Sequence, residues 1–473
     1  MVFATNLDRS KFSAIRLIAA LAYLAAVCGA RNLVGTGEAL AAPDAAATVD
    51  HFGAVGDNQH DDTDAFNAAL SASHRTVCTH NKTYLLKGIV YASLPNSVID
   101  LSGCKIRIAE KPSTNQFLDI EAGSVTVSGL YLIGVGNGIQ IGARKPVSNI
   151  QILNFTCDSS AIPSGLSQCI YWGEVTNLTV DHPNFIGTGY GLLQIPSKPS
   201  HGLRVIHAMA TDMYGDAIEQ NGQANGVASD ILIDDFTFNG SHDFPKPATE
   251  ERFAGFTSVN GLTITNSHIK KANGDACLHL EGTSKHIMLA NNIWTDCQVS
   301  GGNSGYVYIA TSTADIKETN DAFTFTGAVP GELFAYDTSS NSYDNPMAIR
   351  NVRLIDSSGQ HRFGGFNLLF HNGPVVIQGA NARGLKDFVH MISTADVTVA
   401  NSQVTDTVNG IYNEAPTKDS GGGGENITLA GNRMRCLQWC IFTGPNKNGT
   451  GAPKNWEIGG NSFQGRVAGV EAR

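Results

Sequence analysis

Basic residues never cluster in this 473-residue chain: 32 Lys and Arg are spread among 42 Asp and Glu, for a net charge of −10. Without a Lys/Arg run there is no electrostatic footprint for a nucleic-acid partner. Long apolar runs are scarce too. LIAALAYLAAV, residues 17–27, is short for a bilayer span, and no later segment approaches the ~20 apolar residues a spanning helix needs. Helical periodicity is rare, which argues against helical repeats. Zinc-type cysteine spacing is missing as well, because CLQWC (436–440) has no second ligand pair near it. What the chain does have is glycine, 51 residues of it, and many short apolar alternations, the pattern of brief strands joined by turns.

Arg9, Lys11 and Arg16 precede the apolar run, and small-residue sites follow at CGA (28–30) and ALA (39–41). This predicts an export signal over residues 1–41, an exported (extracellular or periplasmic) protein, and no membrane attachment once the signal is cleaved. Removing Cys28 with the signal leaves eight cysteines, an even number that suits an oxidising compartment. Sequence leaves their connectivity open, but pairing neighbours (78 with 104, 157 with 169, 277 with 297, 436 with 440) would staple local loops.

One phrase recurs through the rest: apolar-x-apolar, then Asn or Asp, then another apolar residue, as in NIQILNFTC, SDILIDDFTF, NGLTITNSHI and ENITLAGNRM. Its first apolar position falls at Val125, Ile150, Leu178, Leu203, Ile231, Leu262, Ile287, Val352, Val375, Val397, Ile427 and Trp456. A spacing near 25 residues, interrupted by one gap of 65, predicts an all-β chain, a parallel β-solenoid with three short strands per coil. The gap is read as one extra coil plus a long loop insertion over 310–347. Ile, Leu and Val face inward, and Asn154, Asp235, Asn266, Asn291, Asp356 and Asn401, four residues past their anchors, take the turns. The Asn-x-Ser/Thr sequons then arise from turn Asn followed by strand Thr.

The open end of a solenoid needs a cover. DDTDAFNAAL (61–70) predicts a short capping helix started by Asp62 or Thr63, with Phe66 and Leu70 against the first coil. HFGAVGDNQHDDTDAFNAAL (51–70), with Asn58 where Gly is usual, and NKTYLLKGIVYA (81–92) resemble the opening of the pectate-lyase-like superfamily. That resemblance implies a single-stranded right-handed parallel β-helix of ten or more coils over 42–473, with the cap and first coils in 42–122. Asp57, Asp61, Asp62 and Asp64 lack EF-hand spacing and are read as capping residues rather than a calcium site.

The strand before each anchor presents Gln140, Tyr171, Gln194, Glu219, His279, Tyr308 and His390, a polar and aromatic stripe suited to a sugar-binding groove. Asp216 (in YGDAIE) and Asp275 (in NGDACLHLEG) sit at the turn entering it. Residues 273–309 resemble glycoside hydrolase family 28, the polygalacturonases and rhamnogalacturonases. On that likeness Asp275 matches the family's general acid and Asp216 its Asn-Thr-Asp aspartate. Ala276 replaces the second acid of the pair, Asn303 stands where the Gly-His-Gly histidine is expected, and Arg362 is the nearest arginine in a following coil. The candidate catalytic residues are therefore Asp216 and Asp275, and the candidate substrate contacts are Gln194, Glu219, His279, Glu281, Asn303 and Tyr308.

Two coils of separation put Asp216 and Asp275 roughly 10 Å apart, at the upper limit for an inverting glycosidase. A retaining pair, about 5 Å apart, would need Glu219 or Glu281. Three functions stay open: hydrolysis of a uronate- or rhamnose-containing polysaccharide without a cofactor, preferred here with inversion; a lyase, for which calcium and a base such as Lys271 would enter; and a glycan-binding β-helix without catalysis. In all three the partner is a polysaccharide. Oligomeric state is not legible.

Overall fold

The computed structural model describes residues 45–468 apart from 110–115, 135, 162–167, 222–226, 241–250, 275, 300–304, 311–312, 328–332, 339–345, 370–372, 415–423 and 445–453. The export segment 1–41, Asp275 and Asn303 therefore lie outside the described residues.

Successive coils contribute in turn to three parallel ladders. Val147–Leu153, Thr156–Asp158 and Gln168–Trp172 make one such coil, and Val175–Asp181 opens the next directly on top of the first strand. The first ladder holds sixteen strands, from Ala47–Thr48 to Lys454–Gly459. Its inward positions stack like on like: Ile150 on Leu178, Ile231 on Leu262 and then Ile287, Val375 on Val397, Ile427 and Trp456. In-register stacking buries an apolar side chain at each of these coils and satisfies the backbone of each inner strand from its two neighbours.

Between first- and second-ladder strands the chain turns through one left-handed residue. Asn154, Asp235, Asn266, Asn291 and Asn401 all have φ between 51° and 59° there. Asp356 does not belong to this column. The phrase NVRLID imitates the repeat but starts at the turn: Met347 is the residue stacked on Val375, Asn351 (φ 54°) is the turn, and Arg353–Asp356 is already the second-ladder strand.

The segment 310–347 is also corrected. Rather than a long loop, it contains the strands Ala314–Thr319, Ala322–Phe325 and Leu333–Thr338, one regular coil in register with its neighbours. Its alternation was hidden because an acid, Glu318, occupies a core position between Leu289 and Ile349, with 2% of its surface exposed.

The helix Thr63–Ala72 covers the first coils, with Phe66 and Leu70 buried and Phe66 edge-on to Tyr84. Asp62 precedes it, but its carboxylate accepts the Val55 and Gly56 amides instead of capping its own helix. Asp57 and Asp61 are likewise occupied locally, Asp57 by the Gln59 and His60 amides, which hold it down at about 2, and Asp61 by Thr63 and the Lys87 amide. All four neighbour disulfides form: Cys78–Cys104, Cys157–Cys169, Cys277–Cys297 and Cys436–Cys440.

Candidate functional site

The third ladder carries the outward stripe. Register gives it residue by residue: Asp119, Gln140, Tyr171, Leu193 and Glu219 in succession, then Gly255, His279, Tyr308 and Asp337, then Asn367, His390, Tyr412 and Phe442. The alternation expected from sequence holds for Gln140, Tyr171, Glu219, His279, Tyr308 and His390.

Gln194 is the exception. Leu193 takes the outward place, while Gln194 stacks on Trp172 inside the solenoid, fully buried, and its amide donates to the Lys198 carbonyl at 2.7 Å. In YGLLQ the outward residue is the apolar one, and a slip of one residue moves a side chain to the opposite face. Gln194 is thus a core residue rather than a groove contact.

At Gly255 the stripe has a notch. A Cβ built there would stand 2.5 Å from Glu219 Oε2 and 2.9 Å from Asp216 Oδ2. Both carboxylates therefore crowd one point above a glycine floor, closer together than the ~6.5 Å minimum at which an inverting pair seats a water between its members. Asp216 is 2% exposed and pairs with the Arg252 guanidinium at 3.4 Å, which offsets charge that burial would otherwise leave uncompensated. The turn after Met213 brings Asp216 to this point, and the parallel step from Ile218 to Ala254 brings Gly255 beneath it.

Across the notch stands His279, its ring 5.0 Å from that of Tyr308. Glu281, two residues on, accepts from the Thr257 hydroxyl at 2.7 Å and lies 3.6 Å from His279 Nε2. The structure thus brings Asp216, Glu219, His279, Glu281 and Tyr308 onto successive coils around Gly255. The strand Leu278–Glu281 that follows Asp275 lies two steps along the ladder from Ile218–Asn221, which follows Asp216. Arg362 sits three third-ladder strands beyond His279, at the entry to Phe363–Leu369, with its amide bonded to Asp356.

Sequence reading missed Arg252 and Gly255, because ERFAGFT puts glycine where the stripe expects a polar or aromatic residue; the signal is an interruption in the stripe. It also missed the continuation of the groove. Asp337 Oδ1 accepts from Asn367, whose own Oδ1 meets His390 Nδ1 at 2.9 Å, and His390 Nε2 lies 3.2 Å from Glu414. Beyond it Tyr412 stacks on Phe442 with centroids 5.0 Å apart, beside Trp439, in a cavity of about 580 Å³ that Lys386 and Asp387 also border. Burial, with Glu414 and Asp387 nearby, holds the Tyr412 phenol above its usual value. At the opposite end burial pushes Asp119 up to about 6, against the pull of Arg144 at 3.1 Å.

No family model and no curated protein matches the sequence. Among solved structures, tailspike protein 3 of bacteriophage CBA120 is similar at 10% identity with a TM-score of 0.53, over 90% of this chain and 62% of that one. The Streptococcus pneumoniae surface adhesin PfbA (13% identity, 88% and 91% covered, TM-score 0.45) and an exopolygalacturonase from Thermotoga maritima (12%, 83% and 93%, 0.42) are more loosely alike, too loosely to argue from. At 10% identity the tailspike likeness bears on architecture alone, and together with the three parallel ladders it makes this chain a right-handed parallel β-helix.

Proposed function

We propose that the chain is an exported enzyme that hydrolyses a polysaccharide lying along the third ladder, with the notch over Gly255 as the reaction centre. One observation carries this reading: two carboxylates, Asp216 and Glu219, converge on the side-chain space that Gly255 leaves in the middle of a polar and aromatic stripe. Strand crossings of about 4.8 Å approximate the length of a sugar ring, so successive rings would meet successive coils.

In the inverting form of the reaction, Asp216 and Glu219 form the basic side. They would activate a water that attacks the anomeric carbon, while Asp275, from two coils further on, protonates the departing glycosidic oxygen. His279, Glu281 and Tyr308 then hold hydroxyl or carboxylate groups of the sugar, with Asn303 as a further contact proposed from sequence. Arg252 keeps the negative charge of the basic pair bearable. Four disulfides fit an oxidising compartment outside the cytoplasm.

A second reading is favoured by the contact between His279 and Tyr308. An imidazole beside a phenol can remove the proton next to a uronate carboxylate, with Arg252 screening the carboxylate, as β-elimination requires. It ranks lower because Arg252 is already paired with Asp216. The test is to incubate the protein with a panel of plant and bacterial polysaccharides and follow the products by proton NMR. New reducing ends of inverted anomeric configuration, lost in Asp216→Asn and Asp275→Asn, are expected. Retained configuration would move the catalytic pair to Asp216 and Glu219. An unsaturated sugar would establish the lyase, and binding without any product would leave a glycan-binding β-helix.

A further inference from the structure

At the corner between the first and second ladders, the left-handed turn column is filled by Asn, Asp or Gly at nearly every coil, but by His182 and His207 at two consecutive ones. Asp181 precedes the first of them. Its Oδ1 lies 2.7 Å from His182 Nδ1 and 2.8 Å from His207 Nδ1, and the two imidazoles face each other at a 32° tilt with centroids 4.6 Å apart. All three ligand atoms fall within 4.8 Å of one another, and this is the one such group among the described residues.

We propose that Asp181, His182 and His207 form a divalent transition-metal site that clips one coil to the next. Two imidazole nitrogens and one carboxylate oxygen suit Zn²⁺, Cu²⁺ or Ni²⁺ and disfavour Ca²⁺ or Mg²⁺, which require mostly oxygen ligands. Ligand atoms bound about 2.1 Å from a shared ion stand about 3 to 3.4 Å apart, so each hydrogen-bonded contact has only to open by a few tenths of an ångström. Each imidazole would carry its proton on Nε2 when Nδ1 ligates, and water would complete the coordination. Asp234 and Asp235, one coil beyond His207, add negative potential without ligating. Exposure of both histidines gives the ion a path from solvent. The site lies on a different ladder from the groove, so it stands or falls independently of the proposed hydrolase.

The test uses the full chain stripped with chelator and titrated with Co²⁺, whose visible absorption reports nitrogen and oxygen ligands, and with Zn²⁺ by calorimetry. His182→Asn and His207→Asn are the variants, since Asn is the residue that already fills this turn at other coils and keeps its backbone. His201→Asn, at an exposed histidine near Asp230, is the control. Saturable one-to-one binding is expected, at least tenfold weaker in either turn variant and unchanged in the control, with a rise in melting temperature on adding Zn²⁺ that the turn variants lose. Absence of stoichiometric binding, equal affinity in the turn variants, or equal weakening in the control would overturn the proposal. Matching melting temperatures without metal confirm that the variants fold.

Discussion

Glu219 and His279 stand in one outward column, two coils apart, and the residue between them, Gly255, leaves its side-chain space to the Glu219 and Asp216 carboxylates. The arrangement is a property of register: any L-residue with a side chain at 255 would collide with those carboxylates. Gly255 does not have the positive φ that would make a side chain costly for the backbone, so the constraint on it is space for the two carboxylates.

Gly255→Ala therefore separates site from fold. The added methyl must displace the ends of Glu219 and Asp216, side-chain atoms rather than backbone, so the melting temperature should stay within a few degrees of the parent's. Activity should fall about a hundredfold, because a displacement of about 1 Å in a catalytic group costs that much. Parallel thermal melts and reducing-end assays check it, and unchanged turnover would remove Asp216 and Glu219 from the chemistry.

The ion pair beneath the notch gives a stability prediction. Asp216 and Arg252 are 2% and 8% exposed, so Arg252→Met would leave a buried carboxylate without its guanidinium. Losing one partner of a buried pair costs about 3–5 kcal/mol. Urea unfolding should show a loss of that order, partly relieved in the double variant with Asp216→Asn. Additive losses would mean the two side chains do not act as a pair.

The aromatic end of the groove should act on chain length. If a glycan extends from the notch to Tyr412 and Trp439, Trp439→Ala should weaken binding of long oligosaccharides about tenfold or more and leave short ones unaffected. Trp172, Trp294 and Trp456 are buried, so Trp439 is the indole whose fluorescence a sugar can reach. Quenching by long but not short oligomers, absent in the variant, is the expected signature. A length-independent response would confine the ligand to the notch.

Much of this architecture was legible because each coil repeats the same physical requirement. An aliphatic residue must stack at positions such as Ile231, Leu262 and Ile287, and a turn residue must follow at Asp235, Asn266 and Asn291. The phrase misled where two strands share it, as at Val352, and where the core holds an acid, as at Glu318. The site was half legible. Glu219 and His279 show in the alternation, but Gly255 contributes by lacking a side chain, and Arg252 reaches Asp216 across 36 residues, a contact no local pattern encodes.

Glu318 also makes the fold's response to pH testable. It is enclosed beside Asp321, which receives the Asn292 amide and the Trp294 indole, and burial raises both acids: Glu318 well above 4.5, with the charge of Asp321 raising it further, and Asp321 from 3.8 to about 6, against the lowering pull of its hydrogen bonds with Asn292, Trp294 and Glu318. A carboxyl whose folded value is raised favours folding fully only below its unfolded value, and the contribution is lost as pH rises through the folded one. From pH 4 upward this pair therefore works against stability. Carboxylates such as Asp57, held down at about 2, impose the opposite slope only at lower pH. Glu318→Gln keeps the volume and a donor toward Asp321 while removing the ionisation. It should unfold at higher urea than the parent at pH 7, by the equivalent of about 1–3 kcal/mol, and converge with it near pH 4. Urea titrations at pH 4, 5, 6 and 7 decide the matter: parallel profiles for the two proteins would show that Glu318 is not held neutral in the folded chain.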